Sequence, residues 1–284
     1  MSEGVERRPL IDAEPAKPIA ESDVPRSERA RRTGYRRRFA IVYGSLALIG
    51  GIAIGALIVL LTRPDAVPNP AWSNWEPTGS SNARVKQIAD HVAKEYRFQG
   101  EQMVVALGGP PTVAAGGDST APIPVAAIAV RPDTSTGQAE ENDIELVDAS
   151  KSMQFVLCGL GDGCALSSGQ PTEARHTLLR RQALELALYT FKYVDGVDSV
   201  AVLLPQDNPN LPPTAVFLER SNVSPELSEP IRETLSAPIV PDIGGITAEE
   251  MTTIDRLTRP HLYSYQYDSA QDGSPMMVLT PALG

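Results

Sequence analysis

From Phe39 to Leu61 the chain reads FAIVYGSLALIGGIAIGALIVLL, 23 residues without a charge. At about 1.5 Å of rise per residue this stretch spans roughly 34 Å, enough to cross a bilayer with some tilt. The pattern predicts one N-terminal transmembrane helix. After it, apolar positions recur with two other periods, 3.6 and 2.

SNARVKQIADHVAKEYRF, after Ser80, places Val85, Ile88, Ala89, Val92 and Tyr96 on one helical face. Ser81 or Asn82 can cap this helix. The strongest periodic element is TEARHTLLRRQALELALYTFKYV, Thr172 to Val194. Leu179, Ala183, Leu186, Ala187, Phe191 and Val194 form its apolar face, and Leu184 and Leu188 widen it. So broad a stripe predicts a helix buried on more than one side, with Arg180 on the polar side. Ser224 followed by Pro225 begins a short helix toward Leu235. Thr247 and Glu250 form a capping box at the start of another.

Strands are predicted from shorter apolar runs rich in β-branched and aromatic residues. These are EQMVVALGG, IPVAAIAVRP, IELVDAS, SMQFVLCG, GVDSVAVLLP, TAVFLER, LYSYQYD and PMMVLTP. IELVDAS and SMQFVLCG are adjacent and read as a strand pair. LYSYQYD and PMMVLTP read as a terminal hairpin. The order of elements, with short connections, predicts an α+β domain: a mixed, mostly antiparallel sheet with helices packed on one face.

Four segments follow: a disordered tail over 1–38, the transmembrane helix over 39–61, a Pro/Ser-rich stalk over 62–80 and the α+β domain over 81–284. The tail mixes Pro9, Pro15, Pro18 and Pro25 with both signs of charge and few large apolar residues, so it cannot bury a core.

Charge sets the orientation. Residues 1–38 carry ten Lys/Arg and seven Asp/Glu, a net of +3, whereas the whole 284-residue chain is at −10. Arg26, Arg29, Arg31, Arg32, Arg36, Arg37 and Arg38 precede the apolar span and only Arg63 follows closely. The positive-inside rule then puts the N-terminus in the cytoplasm and the domain outside the cell membrane, as a single-pass signal anchor. A strongly acidic body disfavours nucleic acid as a partner. Trp72 and Trp75, just past the span, suit either the headgroup layer or the folded domain. Gly51 and Gly55 form a G-x-x-x-G that would let a second helix approach, a route to a homodimer.

The two cysteines, Cys158 and Cys164, flank CGLGDGC. Outside the cytoplasm, two cysteines at this spacing are expected to pair as a disulfide, and the glycines let the chain turn between them. Free thiols and a metal site are the alternatives.

No reaction announces itself. The histidines, His91, His176 and His261, lie on separate elements. No G-x-S-x-G, S-x-x-K or H-E-x-x-H motif is present. GGDST at Gly116–Thr120 has the look of a hydrolase serine loop but has no partner histidine indicated. Glu140, Glu141, Asp143 and Glu145 cluster without the alternation around a glycine that a calcium loop needs, and DGVD, with Asp195 and Asp198, is too short for one. No catalytic residue, metal ligand or cofactor is assigned.

ALYTFKYVDGVDSVAVLLP is similar to the helix–Gly-Val–strand piece of extracytoplasmic GerMN-type domains, over about twenty residues of 284. The resemblance implies an α+β envelope module and nothing about chemistry. The expectation is therefore an anchored interaction or accessory protein of a bacterial envelope, with a protein partner there. An anchored hydrolase with an unrecognised site is the alternative, and a membrane sensor the third.

Overall fold

The computed structural model describes residues 27–61, 71–98, 101–114, 121–134, 137, 140, 143–159, 164–166, 172–206, 210–236 and 243–282. It divides into two units, 1–69 and 70–284.

The described part of the first unit is helix α1, Ser27–Leu61. Within it Arg38–Val59 is 22 residues long with a mean hydropathy of 2.2, long and apolar enough to cross a membrane. The helix takes in the last twelve residues of the expected tail, 27–38. Arg and Ala are good helix formers, so the run from Ser27 continues the helix instead of interrupting it. The first 26 residues of the tail lie outside the described residues.

The second unit holds an eight-stranded sheet. Its strands are β3 (Val105–Gly109), β6 (Ala127–Val130), β7 (Glu145–Asp148), β8 (Ser152–Cys158), β9 (Ser199–Leu203), β10 (Thr214–Glu219), β11 (Leu262–Ser269) and β12 (Pro275–Pro281). Their order across the sheet is β3-β8-β9-β10-β11-β12-β6-β7. Two junctions are parallel, β8 with β9 and β12 with β6, and the other five antiparallel. Two small ribbons complete the strands: β1 (Arg97–Phe98) with β2 (Glu101–Gln102), and β4 (Thr112–Val113) with β5 (Ile123–Pro124). The class is the expected mixed α+β, and β11 with β12 is the expected hairpin.

One pairing differs. β7 and β8 are neighbours in sequence but lie toward opposite ends of the sheet. A 3-10 turn, Ala149–Lys151, separates them where a two-residue hairpin would have joined them. Asp148 caps that turn by accepting from the Ser150 amide at 2.9 Å.

Helices α2 (Ser81–Glu95), α3 (Glu173–Tyr193) and α6 (Ala248–Thr258) contribute to the larger core cluster with one face of the sheet. Strand period 2 sorts the residues: Val200, Val202, Val216 and Leu218 face the helices, while Ala201, Leu203, Ala215 and Phe217 join a second cluster on the far face. On that far face long side chains reach across intervening strands. The Tyr267 hydroxyl reaches Gln154 Oε1 at 3.5 Å, although β9 and β10 lie between their strands.

α3 connects β8 to its parallel neighbour β9, the place for a crossover helix. Thr172 caps it by accepting from the Arg175 amide at 3.2 Å. Leu178, Leu179, Ala183, Leu184, Leu186, Ala187 and Leu188 are all fully buried. The expected polar side is buried too: Arg180 is only 3% exposed, held by Asp255 at 2.7 Å and Thr258 at 3.2 Å. α6 lies over that side and supplies the two partners, so Arg180 is an interior cation and not a wet one.

The short helix after Ser224 is two pieces, α4 (Ser224–Ser228) and α5 (Ile231–Thr234), broken at Pro230. The expected stalk is also shorter than 62–80. Trp72 is 9% exposed, within the main core, and its carbonyl accepts from the Ile231 amide at 2.8 Å. Large apolar surface is better buried than left in a linker, so the folded unit takes in the described residues 71–80. Residues 62–70 lie outside the described residues.

Candidate functional site

Where α2, α3, α5 and the 71–75 segment meet, a cleft of about 250 Å³ opens, lined in part by Trp72, Trp75, His91 and Tyr189. The sequence builds it with helical spacing. His91 and Glu95 share one face of α2 four residues apart, and Glu185 and Tyr189 do the same on α3. The Trp-Ser-Asn-Trp segment closes the side.

The rings form a corner. Trp75 lies flat on His91, with centroids 3.9 Å apart and planes 8° from parallel. Tyr189 stands across the pair, at 68° to Trp75 and 75° to His91. Trp72 meets Tyr189 edge-on at 5.3 Å. Such edge-to-face and offset arrangements suit the ring quadrupoles.

The floor is charged. Arg181, 1% exposed, donates from Nε to Glu250 Oε1 at 2.7 Å, from Nη1 to Glu185 Oε2 at 3.3 Å and to the Tyr96 hydroxyl, and from Nη2 to the Ser236 carbonyl at 3.1 Å. The Tyr96 hydroxyl donates in turn to Glu185 Oε2 at 2.7 Å. Ser236 also hydrogen-bonds Glu250 Oε2. Four ionised or polar groups are thus buried together, an arrangement that holds only because each finds partners. Burial pushes the Glu185 carboxyl above its ordinary range, against the pull of Arg181 and the Tyr96 hydrogen bond. Burial holds the Tyr96 phenol well above its usual value and pushes Tyr189 up to about 12. Burial lowers His91, opposed by Glu95 and helped by Lys94.

Glu250 explains a local detail of α6. Thr247 accepts from the Glu250 amide at 3.2 Å, which is half of the expected capping box. The other half is not made, because the Glu250 carboxylate is turned inward to Arg181 and Ser236.

Ser73, Ser236, His91 and Glu95 all border the cleft, so the residue types of a hydrolase are near one another. They are not paired as nucleophile and base. Ser73 hydrogen-bonds the Trp75 carbonyl and the Tyr193 hydroxyl, and Ser236 bonds Glu250. Among the described residues no hydrogen bond joins His91 to either serine, and its ring is held against Trp75. The arrangement can stack, exclude water and hold charge.

The other expected features lie elsewhere. His176 is in the first turn of α3 and His261 in a 3-10 turn, Arg259–His261, where burial lowers its pKa. Among the described residues no group of three His, Cys, Asp or Glu is placed to hold a metal ion. Cys158 and Cys164 are joined as a disulfide, with Cα atoms 5.0 Å apart. Residues 160–163 of that loop, the GGDST segment at 116–120 and Glu141 lie outside the described residues. Asp143 and Glu145 border a second, polar cleft with Arg131, Asp133 and Arg259. Asp195 and Asp198 face Arg84 at 3.5 Å and Lys151 at 3.4 Å. Gly51 and Gly55 lie within α1, with open space where a side chain would stand.

Comparison of the chain with family models, with curated proteins and with solved structures gives no match.

Proposed function

We propose that the chain is a single-pass, membrane-anchored binding module of the cell envelope. Its N-terminus lies in the cytoplasm, its folded unit lies on the other side of the membrane, and its ligand or partner group enters the aromatic cleft. The cleft is the observation that carries this reading. Two tryptophans, a tyrosine and a histidine are gathered at one concavity over a fully buried polar floor. Concave, largely apolar sites with a few placed polar groups are where proteins bind small groups. The hydroxyls beside it are committed to structural bonds, which favours binding over catalysis. The arginine-rich flank before the apolar helix supports the orientation, and a disulfide in the folded unit fits an oxidising compartment.

Two measurements test the proposal. A reporter active only in the cytoplasm, fused after Gly284, is expected to be silent; activity there overturns the orientation. The chain has two tryptophans and both line the cleft, so its intrinsic fluorescence reports on that site. A panel of small cationic, anionic and neutral organic solutes is expected to include a class that changes the emission saturably. The change should be lost in Trp75→Ala. If no class does so, the cleft is not a binding site.

A further inference from the structure

We infer that the cleft receives a primary alkylammonium group on an apolar stem, the chemistry of a lysine side chain, with the ammonium bound by Glu185. This rests on the binding reading above and names the class of group bound. Glu185 is 3% exposed and borders the cavity. Both hydrogen bonds to its carboxylate end on Oε2, from Tyr96 and from Arg181. Its other oxygen, Oε1, has no partner among the described residues and is the acceptor left for a ligand. A carboxylate oxygen open to a cleft accepts from whatever donor enters, and most strongly from one that carries positive charge.

The surrounding charge agrees. Arg181 is already neutralised by Glu185 and Glu250, at 3.3 and 2.7 Å, so the floor carries one carboxylate more than it has cations. Glu95 adds a second negative group on the wall. Among the described residues lining the cleft the other cation is Arg232, more than half exposed and 3.4 Å from Glu233, while Lys192 Nζ lies 5.6 Å from the centre of the Trp72 ring. Aromatic rings above a carboxylate attract cations through their quadrupoles, more strongly where water is excluded. They also cover a methylene stem. A quaternary ammonium would match the rings but has no N–H for Oε1. The volume, about 250 Å³, suits a short stem and not a drug-sized molecule.

The test titrates the detergent-solubilised full chain with n-butylammonium, 1-butanol, butyrate and N-acetyl-lysine methylamide, following tryptophan emission. n-Butylammonium is expected to bind at least tenfold more tightly than 1-butanol, and to weaken as salt is raised. Glu185→Gln should remove that preference while leaving the weak binding of 1-butanol in place, which also shows that the cleft is still formed. Should that variant not fold, Glu95→Gln at the rim is expected to weaken n-butylammonium by about threefold. A lysine derivative that binds more tightly than n-butylammonium assigns the group to a peptide; equal binding assigns it to a free amine, and both support the inference. Butyrate binding more tightly than n-butylammonium, or 1-butanol binding equally well, overturns it while leaving the binding reading intact. Silence with all four and with the wider panel above overturns both.

Discussion

Trp75 lies flat against His91 with 3.9 Å between ring centroids. The two residues come from separate segments, an extended stretch before α2 and the third turn of α2 itself. Their contact ties the entry of the chain into the folded unit to the wall of the cleft.

That stack has a pH signature. Burial lowers the His91 pKa from the ordinary histidine value of about 6.5, so the folded state resists the proton that the unfolded chain accepts. The unfolded state then binds more protons between the two values, and stability rises with pH across that window. Stability contributed by neutral His91 is present above about 6.5 and is lost as pH falls toward the folded pKa. The stability of the wild type relative to His91→Leu should therefore fall on acidification below 6.5, measured by urea unfolding at several pH values. In NMR titrations the His91 pKa should move back up in Trp75→Ala. An unmoved value would show that the stack does not desolvate the ring.

The two kinds of residue on α3 should respond alike. Leu186→Ala and Phe191→Ala remove fully or nearly fully buried side chains and should cost about 2–5 kcal/mol. Arg180→Ala takes one donor from Asp255, which keeps Arg259 at 3.2 Å, and one from Thr258 and should cost about 1–3 kcal/mol. An effect below about 0.5 kcal/mol, typical of a wet surface, would mean that α6 does not close over this side.

Arg181 should be the least replaceable cation. Arg181→Met strands Glu185 and Glu250 in the interior and should cost about 3–5 kcal/mol. Arg181→Lys should recover only part of that loss, since one ammonium cannot reach Glu250, Glu185, Tyr96 and the Ser236 carbonyl together. Denaturant midpoints of the two variants decide it.

The Cys158–Cys164 bridge closes a small loop. Its removal in a Cys158→Ser, Cys164→Ser double variant should cost roughly 2–2.5 kcal/mol in the chain-entropy model. Intact-mass analysis should find two reactive thiols only after reduction. Labelling without reductant would reject the bridge.

Local pattern carried most of the elements. An uncharged run long enough to span a bilayer, the stripe Val85, Ile88, Ala89, Val92 and Tyr96, and the broad face of α3 follow from period and length alone, because solvent sorts each helix or strand by itself. The hairpin β11–β12 and the N-cap at Thr172 are equally local. The cleft is different. Trp75, His91, Glu185 and Tyr189 are spread over more than a hundred residues, and each alone reads as an ordinary surface or core residue. Only the docking of α2 on α3 and the return of residues 71–75 against α5 bring them together. The same holds for Arg180 and Arg181. On a helix wheel they mark the polar side, and they become interior only because α6 arrives with Asp255, Thr258 and Glu250. β7 and β8 likewise looked like neighbours, since adjacency in sequence favours pairing. The sheet placed them apart because β8 gains more by pairing with β3 and β9, both faces buried, than an exposed edge strand could offer. Sequence period decides which face of an element is apolar; which other element meets that face is decided by long-range packing, which no single window contains.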